Sequence, residues 1–317
     1  MLLVFNLAYS QQQGYLENIY RFIEDPGKFA ENQEVGHVPL VPFASVQDAI
    51  ENDWNKSTGF LSLNGNWKFK WSENPEQSLP DFFSTSFNDS KWDNLSVPGN
   101  WEMQGYGDPV FRNISQPFIS NPPFIPRDYN PVGSYRKVFT LPSAWKGKEV
   151  FLHMEGTTSA SFVWVNGKEV GYNQGANEPV EYNITKYLKT GKNLIAVNVY
   201  KYSAGTYLED QDFWRLSGIF RDVYLLATPE VHLRDYFVNT EFDSDYRDAS
   251  LSISAEIANY SKTDKSDYSV RINLFDKSGN AVVKDNVSEL VSIEAEKTLT
   301  VYKTCQVLRP DRYYSDR

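Results

Sequence analysis

The fold of this chain is decided by the stretch SFVWVNGKEVGY, which spans Ser161–Tyr172. An apolar run leads into Asn166-Gly167, a pair of residues that readily adopts positive φ angles, and a second run follows. A two-residue turn of this kind has a twist that matches the strands on either side of it. The stretch therefore predicts a tight β-hairpin.

Short strands separated by turn residues continue on both sides of this hairpin. Trp67, Phe69 and Trp71 alternate with polar neighbours, and this period of two is typical of a strand with one buried face. Since no helix of ordinary length intervenes, the pattern predicts a two-sheet sandwich or jelly roll. The further predicted strands are Tyr135–Leu141, Val150–Glu155, Asn193–Tyr200 and Ile219–Leu226.

The character of the sequence changes at Thr228-Pro229, where a second set of strands begins. Their spacing is that of an immunoglobulin-like sandwich, and the chain is expected to stop about one or two strands short of a complete one. The predicted fold class is therefore all-β, a jelly-roll β-sandwich followed by an incomplete immunoglobulin-like β-sandwich. The strands of this second set are predicted over Asp235–Thr240, Leu251–Asn259, Tyr268–Phe275, Ala281–Val283 and Thr298–Val307.

The N-terminal residues are predicted to precede the first sandwich. Residues 1–10 form an apolar run that resembles a secretory signal, so we expect a periplasmic or secreted protein if it is one and a cytoplasmic protein otherwise. Residues 11–53 are predicted to form an irregular arm with one short helix over Leu16–Ile23. The jelly roll is then expected over residues 54–228 and the second sandwich over residues 229–317.

A proline-dense connection from Pro109 to Pro131 interrupts the strand pattern. Proline supplies no backbone N–H for a strand ladder, so this connection is predicted to lie outside the sheets. Loops of this length in a compact domain are usually functional or disordered. Phe111, Phe118 and Phe124 argue against disorder, so we expect a functional loop.

Composition excludes several classes of function. The formal net charge of −10 disfavours nucleic acids and anionic membrane surfaces as partners. Cys305 is the only cysteine and the three histidines are far apart in sequence, so neither an internal disulfide nor a structural zinc site is expected. No apolar stretch approaches the length needed to span a bilayer.

Three segments depart from simple alternation of strands and turns. In sequence order they are Val97–Pro109 with the later Asn121-Pro122-Pro123-Phe124, Gly171–Gly175 with Glu181–Thr185, and Tyr207–Asp222, which reads YLEDQDFWRLSGIFRD. Together they resemble the N-terminal, galactose-binding-like domain of glycoside hydrolase family 2, in its β-galactosidase branch. The resemblance covers nearly all of Phe60–Leu226 and, more weakly, the domain that follows.

The resemblance implies a larger enzyme whose chemistry resides in a TIM barrel. There, two glutamates cleave the glycosidic bond with retention of configuration. A TIM barrel needs about 250 residues with alternating strands and helices, and this sequence lacks that pattern. We therefore expect no catalytic residue in this chain and no activity by the chain alone. Its expected partners are a galactoside and the missing TIM-barrel and C-terminal domains.

Two residues match positions that this family uses to bind sugar. The resemblance implies that Asn121 hydrogen-bonds the sugar, and that Asp212 lies beside the galactose 6-hydroxyl and ligates a sodium ion. An Asn side chain offers a donor and an acceptor, and a carboxylate suits a hard cation. From the local sequence alone, Asn121 before proline is more typical of a structural turn. For the full enzyme the resemblance also implies magnesium or another divalent cation, and no cofactor is implied for this chain alone.

Structural roles are expected for the neighbouring residues. Glu209 and Asp210 are expected to fix their loop or to pair with Arg215 or Arg221. Trp101 is expected in the core, because a tryptophan within a strand pattern is usually buried.

Two further functions stay open. A jelly roll with aromatic loops is also a scaffold for a self-sufficient carbohydrate-binding module. Alternatively, the surface expected to face the barrel could drive assembly into a homo-oligomer, because large apolar patches rarely stay in contact with water. A tight interaction with free galactose would favour the first function, and self-association would favour the second.

Overall fold

The computed structural model describes residues 2–112, 116–209, 211–276, 278–287 and 290–310, with only the backbone of residues 2–12, 112 and 284–287. The chain divides into two compact units. The first unit comprises Met1–Gly36 and Phe43–Ala227, and the second comprises His37–Pro42 and Thr228–Arg317. Strands dominate both units, which confirms the all-β prediction.

The elements of the first unit are two helices and a series of mostly short strands. The helices are α1 (Leu2–Ile23) and α2 (Val46–Glu51). The strands are β1 (Ala30–Glu31), β2 (Phe60–Ser62), β3 (Gly65–Ser72), β4 (Asp93–Val97), β5 (Val110–Arg112), β6 (Val132–Thr140), β7 (Glu149–Met154), β8 (Thr157–Thr158), β9 (Ala160–Val165), β10 (Lys168–Asn173), β11 (Val180–Asn183), β12 (Lys192–Tyr200), β13 (Phe213–Arg215), β14 (Gly218–Ile219) and β15 (Val223–Thr228).

Two antiparallel sheets enclose the main core of the first unit. The larger sheet has the strand order β1-β10-β9-β12-β6-β3-β4, and the smaller has the order β11-β7-β15-β2. Side chains from both sheets form one buried cluster between them. Trp67 and Trp101 belong to this cluster, so the prediction that Trp101 lies in the core is confirmed. The first unit is therefore a β-sandwich.

The larger sheet is buried on its other face as well. There, Ile19 and Phe22 of α1 pack with Phe162 and Trp164 of β9 in a second apolar cluster. Because both faces of β9 are covered, every residue of this strand is buried. This double burial explains why β9 reads as a continuous apolar run rather than as an alternation.

The hairpin predicted from the sequence is present as β9 and β10. Asn166 and Gly167 form its turn with φ angles of 52° and 84°, and Val165 pairs with Lys168. The Asn166 side chain also donates to the Tyr187 carbonyl oxygen at 2.9 Å and accepts from the Leu194 N–H at 3.1 Å. The turn is therefore anchored to the rest of the sandwich.

Helix α1 is longer than the short helix predicted over Leu16–Ile23, because it begins at Leu2. Its last turns are stabilised by burial of Ile19 and Ile23 against the sheet, with side chains that are 3% and 0% exposed. The sequence pattern did not indicate this length, since the first residues read as a signal-like apolar run. Among the described residues, neither this helix nor α2 is both long enough and apolar enough to cross a membrane.

The second unit has one three-stranded sheet and two smaller strand pairs. The strands are β16 (Val231–Phe242), β17 (Ala249–Asn259), β18 (Lys265–Tyr268), β19 (Arg271–Phe275), β20 (Ala281–Val287), β21 (Val291–Ile293) and β22 (Lys297–Val307). The sheet order is β16-β17-β22, β18 pairs with β21, and β19 pairs with β20. Leu251 and Ile253 of the sheet pack with Ile272 and Leu274 of the β19–β20 hairpin. The unit is thus a small β-sandwich.

Candidate functional site

Asn121 lies at the start of a tight turn in the proline loop, our name for residues 116–131. The Phe124 N–H donates to the Asn121 carbonyl oxygen at 2.9 Å. The Tyr207 hydroxyl accepts from the Asn121 N–H at 3.2 Å and donates to the Phe124 carbonyl oxygen at 2.5 Å. These bonds use only the backbone of Asn121, so its exposed side chain stays available to a ligand.

Aromatic packing fixes the tyrosine that holds this turn. The Phe118 ring stands edge-on to the rings of Tyr202 and Tyr207, with centroid separations of 4.8 Å and 5.7 Å. Gln116 adds a hydrogen bond of 3.1 Å to the Thr206 carbonyl oxygen. Tyr202, Thr206 and Tyr207 lie close to one another in sequence. The proline loop is therefore packed against the segment that leads to Asp212.

Helix α1 supports the far end of the proline loop. Glu24, just after this helix, forms an ion pair of 2.7 Å with Arg127 and accepts from the Ile125 N–H at 3.4 Å. The Arg127 guanidinium also lies 3.8 Å from the centroid of the Tyr20 ring, a cation–π contact. The loop is thus held at both ends, by Tyr207 and by Glu24.

Asp212 lies in a second loop, the acidic loop of residues 203–217, immediately before β13. Its side chain is exposed, and it forms no hydrogen bond or ion pair with another side chain in the described part of the chain. Strand β13 pairs with β5 in a two-stranded ribbon outside both sheets. The connection from Pro109 to Pro131 was predicted to lie outside the sheets. Its residues Val110–Arg112 form strand β5 of this separate ribbon.

Polar contacts anchor the acidic loop on either side of Asp212. The Arg215 guanidinium donates to the Glu209 carbonyl oxygen at 2.5 Å, and the Glu209 carboxylate accepts from the Ala176 N–H at 2.9 Å. Burial raises the pKa of Glu209 above its usual value, while the Ala176 N–H and Arg215 act in the opposite direction. The loop-fixing role expected for Glu209 is therefore confirmed, and Asp210 lies outside the described residues.

A buried ion pair lies beneath the same loop. Lys201 and Glu102 meet at 2.5 Å, and their side chains are 2% and 0% exposed. Sequence reasoning missed both residues, because Lys201 is a single charge after an apolar run and Glu102 is a single charge between Trp101 and Met103. The signal that could have found Lys201 is its place directly after the predicted strand Asn193–Tyr200, where a lone charge needs a partner if it is buried.

Large apolar side chains are exposed on the two loops and the ribbon. Ile119 and Leu208 are 94% and 82% exposed, and Trp214 is 52% exposed with its ring 5.6 Å from that of Phe111. Scattered apolar residues are normal on a surface, but a group of this kind marks a contact surface. We call this group the apolar surface, and its members are Phe111, Ile119, Phe124, Leu208, Phe213 and Trp214.

Asp212 offers the type of ligand that a sodium ion requires, but it is a single ligand. Its carboxylate is a hard oxygen donor, as an alkali cation requires. Asp212 does not belong to any group of three or more His, Cys, Asp or Glu ligands among the described residues. The other ligands of a cation at Asp212 would therefore have to come from carbonyl oxygens, a bound sugar or another domain.

Comparison with known protein families gives a match over the first sandwich. A family model described as "Glycosyl hydrolases family 2, sugar binding domain" matches residues 60–229. The chain is 41% identical over 281 residues to a β-galactosidase of Priestia megaterium, covering 87% of this chain and 27% of that protein. It is also 41% identical over 241 residues to a β-galactosidase of Streptococcus thermophilus, covering 75% and 23%.

Solved structures with a similar fold include two β-glucuronidases. A Bacteroides uniformis β-glucuronidase superposes with a TM-score of 0.65 at 23% identity, covering 80% of this chain and 28% of that one. A second β-glucuronidase, described as from glycoside hydrolase family 2, gives 0.63 at 25% identity. The chain spans about a quarter of the length of the curated relatives it matches, at 27% and 23% for the two above.

Proposed function

Because this chain belongs to glycoside hydrolase family 2, we propose that it forms the N-terminal, non-catalytic region of a retaining β-galactosidase. Its sequence relatives above are β-galactosidases, and the match covers 87% of this chain but 27% of the first of them. The remaining length of such a protein can accommodate a TIM barrel of about 250 residues. The proposed substrate is therefore a terminal β-D-galactoside, which this chain would help to bind and would not cleave.

The observation that carries this proposal is the pairing of two exposed polar side chains with the apolar surface. Asn121 and Asp212 lie on loops that Tyr207 ties together. Docking of a catalytic domain onto the apolar surface would bury it and remove water from both side chains. Hydrogen bonds to sugar hydroxyls are stronger in such a water-excluded site than at an open surface.

Asp212 is the residue that we propose for a sodium ion. Its carboxylate would supply one oxygen ligand, and the bound ion would attract the oxygen of a sugar hydroxyl. Asn121 would hydrogen-bond the same sugar through its amide. No described residue is proposed as a ligand for magnesium, and a magnesium site in the full enzyme stays a prediction. The location of the protein in the cell also stays a prediction.

An assembly function is the second candidate, and the same apolar surface favours it. If a second copy of this chain covers that surface, the protein forms a homo-oligomer. Light scattering on the purified chain distinguishes the two candidates. A monomer at micromolar concentration would favour the subsite function, as would tryptophan fluorescence that shifts on adding a catalytic domain in the parent and not in a Trp214→Phe variant.

A chimera tests the proposed function directly. This chain would replace the aligned region of the Priestia megaterium β-galactosidase, and hydrolysis of a nitrophenyl β-galactoside would be measured. We expect activity in the chimera and none in this chain alone. Within the chimera, Asn121→Ala and Asp212→Asn should each lower kcat/KM about 10- to 100-fold. Asn121→Ala removes the amide proposed to hydrogen-bond the sugar, and Asp212→Asn removes the negative charge proposed to bind the cation.

Matched controls separate these effects from loss of folding. Asn239→Ala and Asp245→Asn change exposed residues of the second unit and should leave kcat/KM unchanged. The thermal stability of all four variants should match that of the parent, because the substituted side chains are exposed. Galactoside turnover by this chain alone would contradict the proposal, as would unchanged kcat/KM in both the Asn121→Ala and Asp212→Asn chimeras.

A further inference from the structure

We propose that the buried ion pair of Glu102 and Lys201 is a positioning device that holds the acidic loop, so that Asp212 meets the sugar in the assembled enzyme. This inference rests on the proposed function and assigns a role to residues outside the proposed subsite. Neither residue faces the apolar surface, since their side chains are 0% and 2% exposed.

Both members of the pair also bind the backbone of the acidic loop. The Lys201 ammonium donates to the Arg215 carbonyl oxygen at 3.2 Å. The second carboxylate oxygen of Glu102 accepts from the Ser217 N–H at 2.8 Å. Each charge therefore forms one bond to its partner and one to the end of the loop. The pair joins residue 102 to residues 201 and 215–217, which lie 99 to 115 positions later in the chain.

The stability of the fold does not explain why a charged pair is used here. Moving two charges out of water carries a large desolvation penalty, and well-packed apolar residues in place of such a pair are often neutral or stabilising. An apolar pair, however, cannot bond the Arg215 carbonyl oxygen or the Ser217 N–H. What the charged pair adds is two directional hydrogen bonds to the backbone of the acidic loop.

The geometry of the loop transmits this constraint to Asp212. At its first end the loop is held by Tyr207 and by the Glu209 carboxylate. At its second end the bonds to Arg215 and Ser217 hold it, three and five residues after Asp212. The pairing of β13 with β5 also restrains the residues after Asp212, but this ribbon lies outside both sheets, so the ion pair is what ties it to the core of the sandwich. Misplacement of a binding group by about 1 Å can reduce turnover about 100-fold.

Glycine at position 218 completes this anchor. Gly218 has a φ angle of +116°, which side-chain-bearing residues rarely adopt. A Cβ atom there would also lie 2.9 Å from the Tyr135 hydroxyl and 3.1 Å from the Gly99 carbonyl oxygen. Directly after Ser217, the backbone therefore has a conformation and a close packing that only glycine allows. Gly218 and the ion pair together restrict the end of the acidic loop.

The test replaces the pair by apolar residues of similar size, Glu102→Leu with Lys201→Met. In this chain alone, amide hydrogen exchange of residues 211–217 should become about 10-fold faster while the unit stays folded at 25 °C by circular dichroism. The melting temperature should fall, because the Arg215 carbonyl oxygen and the Ser217 N–H lose their partners. In the chimera, kcat/KM for the galactoside should fall about 10- to 100-fold. The matched control is Glu51→Leu with Lys56→Met, an exposed pair that lies outside both loops and should change neither readout.

A double-mutant cycle shows whether the pair acts through Asp212. In an Asp212→Asn chimera, the same apolar replacement should lower kcat/KM by less than about 2-fold further, because the group that it positions is already lost. A merely structural role would give losses that multiply. If the apolar variant does not fold, Glu102→Gln takes its place, and it should show the same coupling with a smaller loss.

The outcomes separate this inference from the proposed function. If Asp212→Asn itself has no effect in an active chimera, the proposed role of Asp212 is wrong. If Asp212→Asn lowers kcat/KM but the apolar replacement changes neither exchange nor kcat/KM, the positioning role alone is overturned. Multiplicative losses would overturn it too.

Discussion

The carboxyl group of Glu209 shows how one residue of the site depends on its surroundings. Its oxygen accepts from the Ala176 N–H at 2.9 Å, so the side chain is turned toward the protein rather than toward a ligand. Burial there raises the pKa of Glu209, which means that the folded state holds the proton more tightly than the unfolded state does. A charged Glu209 is therefore a source of instability in the folded protein.

This shift predicts a pH-dependent effect of Glu209→Gln. For a carboxyl whose folded-state pKa is raised, stability is highest below the unfolded-state pKa and falls as pH rises through the folded-state pKa. Glutamine keeps an oxygen acceptor for Ala176 and does not titrate. Relative to the parent, the melting temperature of the variant should therefore increase from about pH 4 to about pH 7.

Circular dichroism melts across this pH range measure the difference. The control is Glu178→Gln, which changes an exposed glutamate close to the same loop. If the difference in melting temperature between the Glu209→Gln variant and the parent is the same at every pH, ionisation of Glu209 does not change the stability of the fold.

The role of helix α1 could not be expected from the sequence, because this helix supports a loop that lies about 100 residues later in the chain. A glutamate just after a helix is unfavourable with respect to the helix dipole, which favours positive charge at that end. The ion pair of Glu24 with Arg127 offsets this. We interpret the position of Glu24 as serving the proline loop rather than the helix.

Glu24→Ala should therefore loosen the proline loop without unfolding the unit. Loss of the ion pair and of the bond to the Ile125 N–H should speed amide exchange of residues 124–127 about 3- to 10-fold, a modest effect because Arg127 is more than half exposed. Hydrogen exchange followed by mass spectrometry measures it. Glu17→Ala, at an exposed position of the same helix, should leave the exchange unchanged. Equal exchange in both variants would contradict this role of Glu24.

The elements also differ in how far the sequence predicted them. The β9–β10 hairpin was predicted correctly, because its turn residues and both strands lie within fourteen positions. The β5–β13 ribbon was not predicted, since Phe111 and Trp214 are paired across about a hundred residues. A short strand with a distant partner leaves little periodic signal of its own.

At the scale of the whole molecule, the chain is acidic, with a net charge of −10, and two of its loops present an apolar surface. Asn121 and Asp212 are open to water there, and a hydrogen bond to sugar would replace one to water. The chain alone should therefore bind galactose with a Kd in the millimolar range or weaker, about −4 kcal/mol.

Titration calorimetry with the purified chain measures this affinity. A chain with both Asn121→Ala and Asp212→Asn provides the baseline for non-specific heat. Micromolar binding by the parent would instead support a self-sufficient carbohydrate-binding module.

By itself, the sequence determined the fold class, the family and the identity of Asn121 and Asp212 as candidates. Strand periodicity, turn residues and short motifs are local, so each can be recognised without knowledge of distant partners. The family match over residues 60–229 confirmed the resemblance that these motifs carry.

Only the tertiary structure decided how those candidates are held. Tyr207 contacts the turn at Asn121, Glu24 contacts Arg127, and Lys201 contacts Glu102. The partners in these contacts are 83 to 103 positions apart in sequence. Long-range contacts between single polar residues leave no periodic trace in a sequence. The fold determines which partners come within reach, and at Glu102 and Lys201 burial also requires each charge to find one.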